Sequence, residues 1–345
     1  MWFVGLDVHW KRSTYCILDD HGRKVTSRTV HGGWHKVVAE LKGMDKTMAV
    51  CFEASCGYGH LYEQLSRFAR RVVVAHPGQL RLIFRSKRKN DRVDAEKLAK
   101  LLFLDEVPPV YVPSAQVRAW RGMIQFRARM VGQLVGAKNR LRALLRSVGL
   151  RAPRGLWSRK GMAWLSEQSF GSQLETLQRD VLCEELESLK TKIRRVEKML
   201  DATAGQQPAV AVLRTIPGVG PRTAEAVVAY IDNPDRFTNN KSIGSYFGLV
   251  PCQDSSADLD RLGHITRQGP ALVRTLVIEA TWQAVWLCPQ IRAIFERIGR
   301  DDPQRRRIAI VATAHYLLRV MHALMRTGQG WRPQQALASV GGRLH

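Results

Sequence analysis

Short apolar runs dominate the chain up to Ala75, and helical periodicity dominates the remainder. Trp2-Phe3-Val4-Gly5-Leu6 is an apolar run closed by Asp7 and reads as a buried strand. Ser13 to Leu18 alternates enough for a second strand, Asp19-Asp20-His21-Gly22 is a turn signal, and Lys24 to Val30 supplies a third. Trp34 to Leu41 reads as a helix and Lys46 to Phe52 as a fourth strand, closed by Glu53. Tyr58 to Ala69 is helical, and Arg71 to Ala75 is a short buried strand ended by His76-Pro77. Asp91 and Asp94 sit three apart in a helical stretch, Lys89 to Ala99.

Three strands in a meander, then alternating helix and strand, is the order of the RNase H-like fold. In that fold the first strand carries a metal-binding aspartate near its middle, the place expected for Asp7. Beyond Ser114 there is no proline until Pro153, and apolar residues from Trp120 to Leu145 recur at spacings of three and four. This predicts one long helix or two, ringed by arginines from Arg118 to Arg146. A Pro/Gly/Trp-rich patch, Pro153 to Gly161, comes next. Leu182, Leu186, Leu189, Ile193, Val196 and Leu200 then form a coiled-coil-like seam, either an intramolecular hairpin or a self-association surface. Thr203 to Pro208 reads as a linker. Leu213 to Ala224 contains Ile216-Pro217-Gly218-Val219-Gly220, which has the pattern of a helix-hairpin-helix turn. Glycines in such a turn let backbone N–H groups approach a phosphate; an ordinary tight turn between packed helices is the alternative. The fold class expected is therefore α/β plus α, with domains at 1–115, 116–205 and 206–345.

Charge narrows the function. The chain carries 54 Lys and Arg against 30 Asp and Glu, a net charge of +24. Nucleic acid is the expected partner. No membrane partner is expected: the longest apolar helix, Ile308 to Met325, includes His315, Arg319 and His322 and reads as a core helix, and Met1 to Trp10 lacks the basic start of a signal peptide. The six cysteines make no CxxC pair, which fits reduced thiols in the cytoplasm without a structural zinc.

Against this basic background the acids stand out. Asp7 and Glu53 at strand ends, with Asp91 and Asp94 one turn apart on a helix, can converge from distant segments. Converging carboxylates bind hard divalent cations, and such cations can clamp the oxygens of a phosphodiester. Taken singly, Asp7 reads as a solvated strand end, Glu53 as an acid in an N-cap region before Ala54-Ser55, and Asp91 and Asp94 as partners for Arg88, Arg92 or Lys97. A second constellation runs from Gly248 to Gly269: a Ser255-Ser256 pair in a polar loop, succeeded by Arg261, His264, Arg267 and Arg274. Arginines can hold a phosphate while a serine oxygen attacks it, or can simply line a solvated loop.

These segments together resemble the insertion-sequence-110 family of DEDD transposases, the bridge-RNA-guided serine recombinases. The resemblance runs from Gly5-Leu6-Asp7-Val8-His9 through Phe52-Glu53-Ala54-Ser55 and Asn90-Asp91-Arg92-Val93-Asp94-Ala95. It continues in Ile216-Pro217-Gly218-Val219-Gly220-Pro221, Phe247-Gly248-Leu249-Val250-Pro251, Gly263-His264-Ile265-Thr266-Arg267-Gln268-Gly269 and Leu272-Val273-Arg274. It implies a RuvC-like domain whose DEDD acids are Asp7, Glu53, Asp91 and Asp94, with Mg²⁺, then a coiled-coil segment and a C-terminal transposase domain with a nucleophilic serine. In the family that serine lies seven residues before the glycine of a Gly-x-Ile-Ser/Thr block and commonly precedes a glycine. Here the position is Ser256, with Ala257 after it in place of glycine, which leaves Ser255 as runner-up. The resemblance also implies a structured noncoding guide RNA that pairs with donor and target DNA, a phosphoserine intermediate, and a homo-oligomer, dimer or tetramer. No dedicated base-reading module is evident, which suits guidance by RNA. The candidate nucleic-acid surfaces are Arg118 to Arg146 and the cluster Arg81, Arg85, Lys87, Arg88 and Lys89. A metal-dependent junction nuclease without covalent attachment and a non-catalytic nucleic-acid-binding protein are the alternatives.

Overall fold

A computed structural model describes residues 1–55, 57–83, 90–239, 242–256 and 259–332; within 254–262 it describes the backbone alone. The elements are β1 (Trp2–Val8), β2 (Arg12–Leu18), β3 (Lys24–His31), α1 (Trp34–Lys42), β4 (Met48–Glu53), α2 (Tyr58–Leu65), β5 (Arg71–Ala75), α3 (Pro77–Ile83) and α4 (Asp91–Phe103). They continue as α5 (Ala115–Ser147), α6 (Arg159–Glu167), α7 (Gln173–Gly205), α8 (Pro208–Leu213), α9 (Pro221–Ile231), α10 (Ser242–Tyr246), β6 (Pro251–Ser256), β7 (Leu259–Ile265), α11 (Ala271–Leu287), α12 (Pro289–Gly299) and α13 (Arg306–Thr327). The chain divides into two compact units, Met1–Arg118 and Ala119–His345.

The first unit holds a five-stranded sheet in the order β3-β2-β1-β4-β5. The β1–β2 and β2–β3 pairs are antiparallel, and the β1–β4 and β4–β5 pairs are parallel. Met48 to Phe52 of β4 are all buried, because a parallel strand covered on both faces has no wet side. On one face Val4, Leu6, Val50 and Phe52 pack with Val37 and Leu41 of α1 and Leu61 and Leu65 of α2. On the other, Ala49 and Cys51 pack with Leu98, Leu101 and Leu102 of α4. Cys16 and Leu18 of β2 meet Ala95 and Ala99 of the same helix.

Gly5 decides how close α4 can come. A Cβ there would lie 2.0 Å from the Ala95 carbonyl oxygen and 2.3 Å from the Ala99 nitrogen. The glycine and the two alanines thus let helix backbone rest on strand backbone. Asn90 caps this helix by accepting from the Arg92 N–H, which fixes where its first turn begins. Asp7 lies next to the C-terminal end of β1 rather than near its middle, because the strand stops at Val8.

In the second unit, the proline-free stretch forms a single helix, α5. The capping box Ser172–Glu175 starts α7. Leu182 and Leu186 of α7 pack on Leu141, Leu144 and Leu145 of α5, with Leu156 and Leu165 of the segment between them. Leu200 belongs to the large helical core with Trp120 and Ile124. Seam residues of α7 are therefore buried within the chain, as in the intramolecular hairpin. Thr203 to Pro208 is not a linker: α7 continues to Gly205 and α8 begins at Pro208, so only Gln206 and Gln207 separate them. Thr203 is accommodated inside the helix with its hydroxyl donating to the Met199 carbonyl.

The large core gathers α8, α9, α11, α12 and α13. The segment Pro303–Thr327 is long and apolar enough to cross a membrane by composition, but half of its most apolar window is buried in the fold. Ser255 and Ser256 do not sit in a loop. They end β6 of a two-stranded hairpin, paired in register with Asp260 and Leu259 of β7. The sequence hides this because Cys252-Gln253-Asp254-Ser255-Ser256 has no apolar alternation, and Pro251, Cys252 and Gln253 are exposed.

Candidate functional site

Asp7, the last residue but one of β1, and Glu53, the last of β4, lie at the same ends of neighbouring parallel strands. Leu6 pairs in register with Phe52, and both turn toward α1 and α2. Side chains alternate along a strand, so Asp7 and Glu53 face the α4 side. There α4 opens with Asp91 and Asp94 in its first turn. The backbone contact at Gly5 thus brings a helix N-terminus to the ends of two strands.

Ligand atoms of Asp7, His9 and Asp91 all lie within 4.8 Å of one another. His9 Nε2 is 3.4 Å from Asp7 Oδ1. Arg12 Nη2 is 2.7 Å from Asp91 Oδ2, and Lys97 is 3.9 Å from Asp94. Burial pushes the Asp7 carboxyl above its usual pKa; His9 opposes the shift, and the nearby Asp91 and Asp94 carboxylates add to it. Asp94 is therefore near enough to act on Asp7 through its charge. Glu53 is exposed on the same side of the sheet and is outside the close group. Sequence reasoning does not single out His9 or Arg12. The Asp-x-His spacing, which puts both side chains on one side of a strand, is the available signal for His9. Nothing local marks Arg12.

The serine region is built differently. Gly248 and Gly269, both at positive φ, clasp the root of the hairpin. A Cβ on Gly248 would meet the Gln268 oxygen at 2.2 Å, and one on Gly269 the Tyr246 oxygen at 2.0 Å. Arg274 is tied to that root, donating to the carbonyls of Phe247 and Gln268, each at 3.1 Å. It is a strut of the hairpin, where the sequence suggests a phosphate ligand. His264 and Arg267 are exposed. The side chains of Ser255, Ser256 and Arg261, and all of Ala257, lie outside the described residues. So do Arg85, Lys87, Arg88 and Lys89 of the basic cluster, while Arg81 is exposed on α3. In the Ile216–Gly220 turn, Gly218 is taken up by packing: a Cβ would lie 2.4 Å from Ala284 N of α11. Gly220 caps α9 with nothing within 4 Å of a Cβ there.

Two family models match the chain. A DEDD-type transposase model of the IS110 group matches residues 4–149, and the model described as Transposase IS116/IS110/IS902 family matches residues 210–296. The chain belongs to the IS110 family of transposases. It is 27% identical over 306 residues to a Pseudomonas aeruginosa protein named "Probable family 20 transposase", covering 86% of this chain and 90% of that one. It is 25% identical over 345 residues to the "Transposase for insertion sequence element IS1111A" of Coxiella burnetii, covering 95% and 91%. A similar transposase, for insertion sequence element IS1328 of Yersinia enterocolitica, is 24% identical over 237 residues, covering 67% and 69%. A transposase cuts and rejoins DNA, and the DEDD type goes with a divalent metal.

The residues present suit such an ion. Asp7 and Asp91 offer two carboxylates at the open rim of the sheet, which leaves coordination positions for water and a phosphate oxygen. Desolvation and mutual repulsion among Asp7, Asp91 and Asp94 are what a bound cation relieves. Arg12 and His9 meet part of that need with protein charge.

Proposed function

We propose that this transposase cuts and rejoins donor and target DNA through a phosphoserine intermediate, with Mg²⁺ held by Asp7, Glu53, Asp91 and Asp94 and with sequence chosen by a structured noncoding RNA of its own element. The observation that carries the reading is the approach of Asp7 to Asp91 across the β1–α4 contact. The β3-β2-β1-β4-β5 order supports an RNase H-like, RuvC-like reading of the first unit. The second unit is read as a helical arm leading into a C-terminal transposase domain. An oligomer built from dimers in the bacterial cytoplasm completes the reading.

Chemically, the Ser256 hydroxyl oxygen forms a bond to the scissile phosphorus. The bond from phosphorus to the leaving deoxyribose oxygen breaks, and the serine proton ends on that oxygen. Rejoining reverses the step with a hydroxyl of the new partner strand, so no phosphodiester energy is lost. A bound divalent ion supplies Lewis-acid polarisation of a phosphate oxygen. Exposed Arg267 and His264, at the end of β7 and just beyond it, are available to the phosphate. A second reading, a metal-dependent nuclease without covalent attachment, draws on the placement of acids and serine in separate compact units.

The test is a labelled donor-site duplex on denaturing gels. Wild type should yield a covalent adduct that Ser256→Ala loses and Ser255→Ala keeps. The opposite result moves the nucleophile to Ser255. Undiminished recombination by both variants removes the serine mechanism and leaves the metal nuclease.

A further inference from the structure

Between Glu106 and Glu167 the chain has no Asp or Glu, yet it carries twelve Lys and Arg. Several of these are consumed by the fold. Arg118 pairs with Glu63, Arg127 with Glu197 and Arg140 with Glu185, and Arg121 donates to the carbonyls of Ala229 and Tyr230. Most of the others gather at the turn end of the α5–α7 hairpin. Lys138 and Arg142 both lie 5.3 Å over the ring of Trp157. Arg146 continues the same i, i+4 row along α5. Directly after Trp157 come Arg159 and Lys160 in the first turn of α6, with Arg151 and Arg154 in the segment before it. Arg142, Arg146, Arg151, Arg154, Arg159 and Lys160 are all exposed. None of these six has an ion pair among the described residues.

The platform beneath them is ordered. Leu156 and Leu165 are buried against Leu141, Leu144, Leu145, Leu182 and Leu186, and Ser158 caps α6. A wet protein face ordinarily mixes both signs, since adjacent like charges repel and contribute nothing to the fold. Here cations are held side by side on a packed scaffold. Most are arginines, whose planar fork suits phosphate oxygens.

We infer that this end of the hairpin, the face made by α5 from Lys138 to Arg146 and by residues 151–160, binds the sugar-phosphate backbone of nucleic acid. It holds by charge and shape and does not read bases. The inference is independent of which residue is the nucleophile and of the metal site. Both RNA and DNA present this phosphodiester chemistry.

The experiment uses the full chain with Arg151, Arg154, Arg159 and Lys160 all changed to Gln. Its matched control changes Lys192, Arg194, Arg195 and Lys198 of α7 to Gln, exposed cations whose removal lowers the net charge equally. Anisotropy of a labelled RNA hairpin and of a labelled DNA duplex is followed against salt, with melting temperature as the check on folding. The α6 variant should bind one or both probes at least about tenfold more weakly at low salt. Its log K against log salt slope on duplex should flatten by about 0.9 for each phosphate no longer neutralised, whatever the probe sequence. Which probe responds identifies the ligand as RNA or DNA. An equal weakening in the control would overturn the inference, since net charge and not this face would then be responsible. Unchanged binding by a folded α6 variant would overturn it too, and a changed sedimentation coefficient in that case would reassign the face to protein–protein contact.

Discussion

The acids and the serines occupy opposite kinds of architecture. Asp7 lies next to the end of the central strand of a sheet covered on both faces, and Asp91 opens a helix that rests on that strand's backbone at Gly5. Their approach is fixed by the core and exists before substrate arrives. Ser256 ends a strand paired with a single partner, in a hairpin clasped at its root by Gly248, Gly269 and Arg274. The register of that hairpin is set by backbone bonds and by the root, with exposed residues at the start of β6 adding no apolar burial. A metal site gains from preorganisation, because carboxylates crowded without a cation repel one another. The serine that we propose as the nucleophile would have to meet a phosphate in a large substrate, and it sits on a lighter support.

The largest effect should come from Gly5→Val. Its Cβ would collide with the Ala95 carbonyl, so α4 must lift from β1. We expect the first unit to be destabilised by about 3 kcal/mol or more, read by chemical denaturation. Metal-dependent stabilisation should vanish with it. A folded Gly5→Val protein that still gains melting temperature from Mg²⁺ would sever the link between core packing and acid geometry.

Gly269→Ala should cost less, about 1–3 kcal/mol, from its positive φ and its contact with the Tyr246 carbonyl. The sharper readout is functional: recombination should fall while Mg²⁺ still raises the melting temperature. Disappearance of the metal response here would mean that the two sites are not separately built.

A buried acid in the second unit gives a pH test. Glu225 on α9 is 1% exposed, and Arg222 approaches it to 3.0 Å. Burial raises its pKa to about 7, with Arg222 and Arg127 opposing the rise. A carboxyl raised in the folded state binds its proton more tightly there than in the unfolded chain. The stability this group contributes is therefore fully present below its ordinary value of 4.5 and is lost as pH rises through about 7. The decline between about pH 5 and about pH 8 should be on the order of 2 kcal/mol. Glu225→Gln should flatten that slope. An unchanged slope would exclude Glu225 as its source.

The smallest stability effect should accompany Asp7→Asn. Removing a desolvated charge repelled by Asp91 and Asp94 should leave the metal-free melting temperature unchanged or slightly higher. Mg²⁺ stabilisation and strand cleavage should both disappear. A clear drop in metal-free stability would make Asp7 a structural partner of His9 instead.

The strands and helices of the first unit can be read from sequence because their signals are local. Apolar runs, a turn at Asp19-Asp20-His21-Gly22 and helical spacing each lie within a few residues. Asp91 and Asp94 are visible as a pair for the same reason, and the acidic ends of β1 and β4 suggest convergence. The seam of α7 is equally plain, although its period alone does not say whether its partner is α5 or another chain. The hairpin carrying Ser256 is not legible, because its residues lack the alternation that burial imposes and its pairing is held from Gly248, Gly269 and Arg274 outside the strands. Arg12 facing Asp91, and His9 joining Asp7 and Asp91, depend on how a strand end meets the start of a helix far along the chain. By itself the sequence determined which segments are apolar enough to form strands and helices, and which carry the acids. The tertiary structure decided which acids approach one another, because that distance depends on the backbone contact at Gly5 and not on the acids themselves.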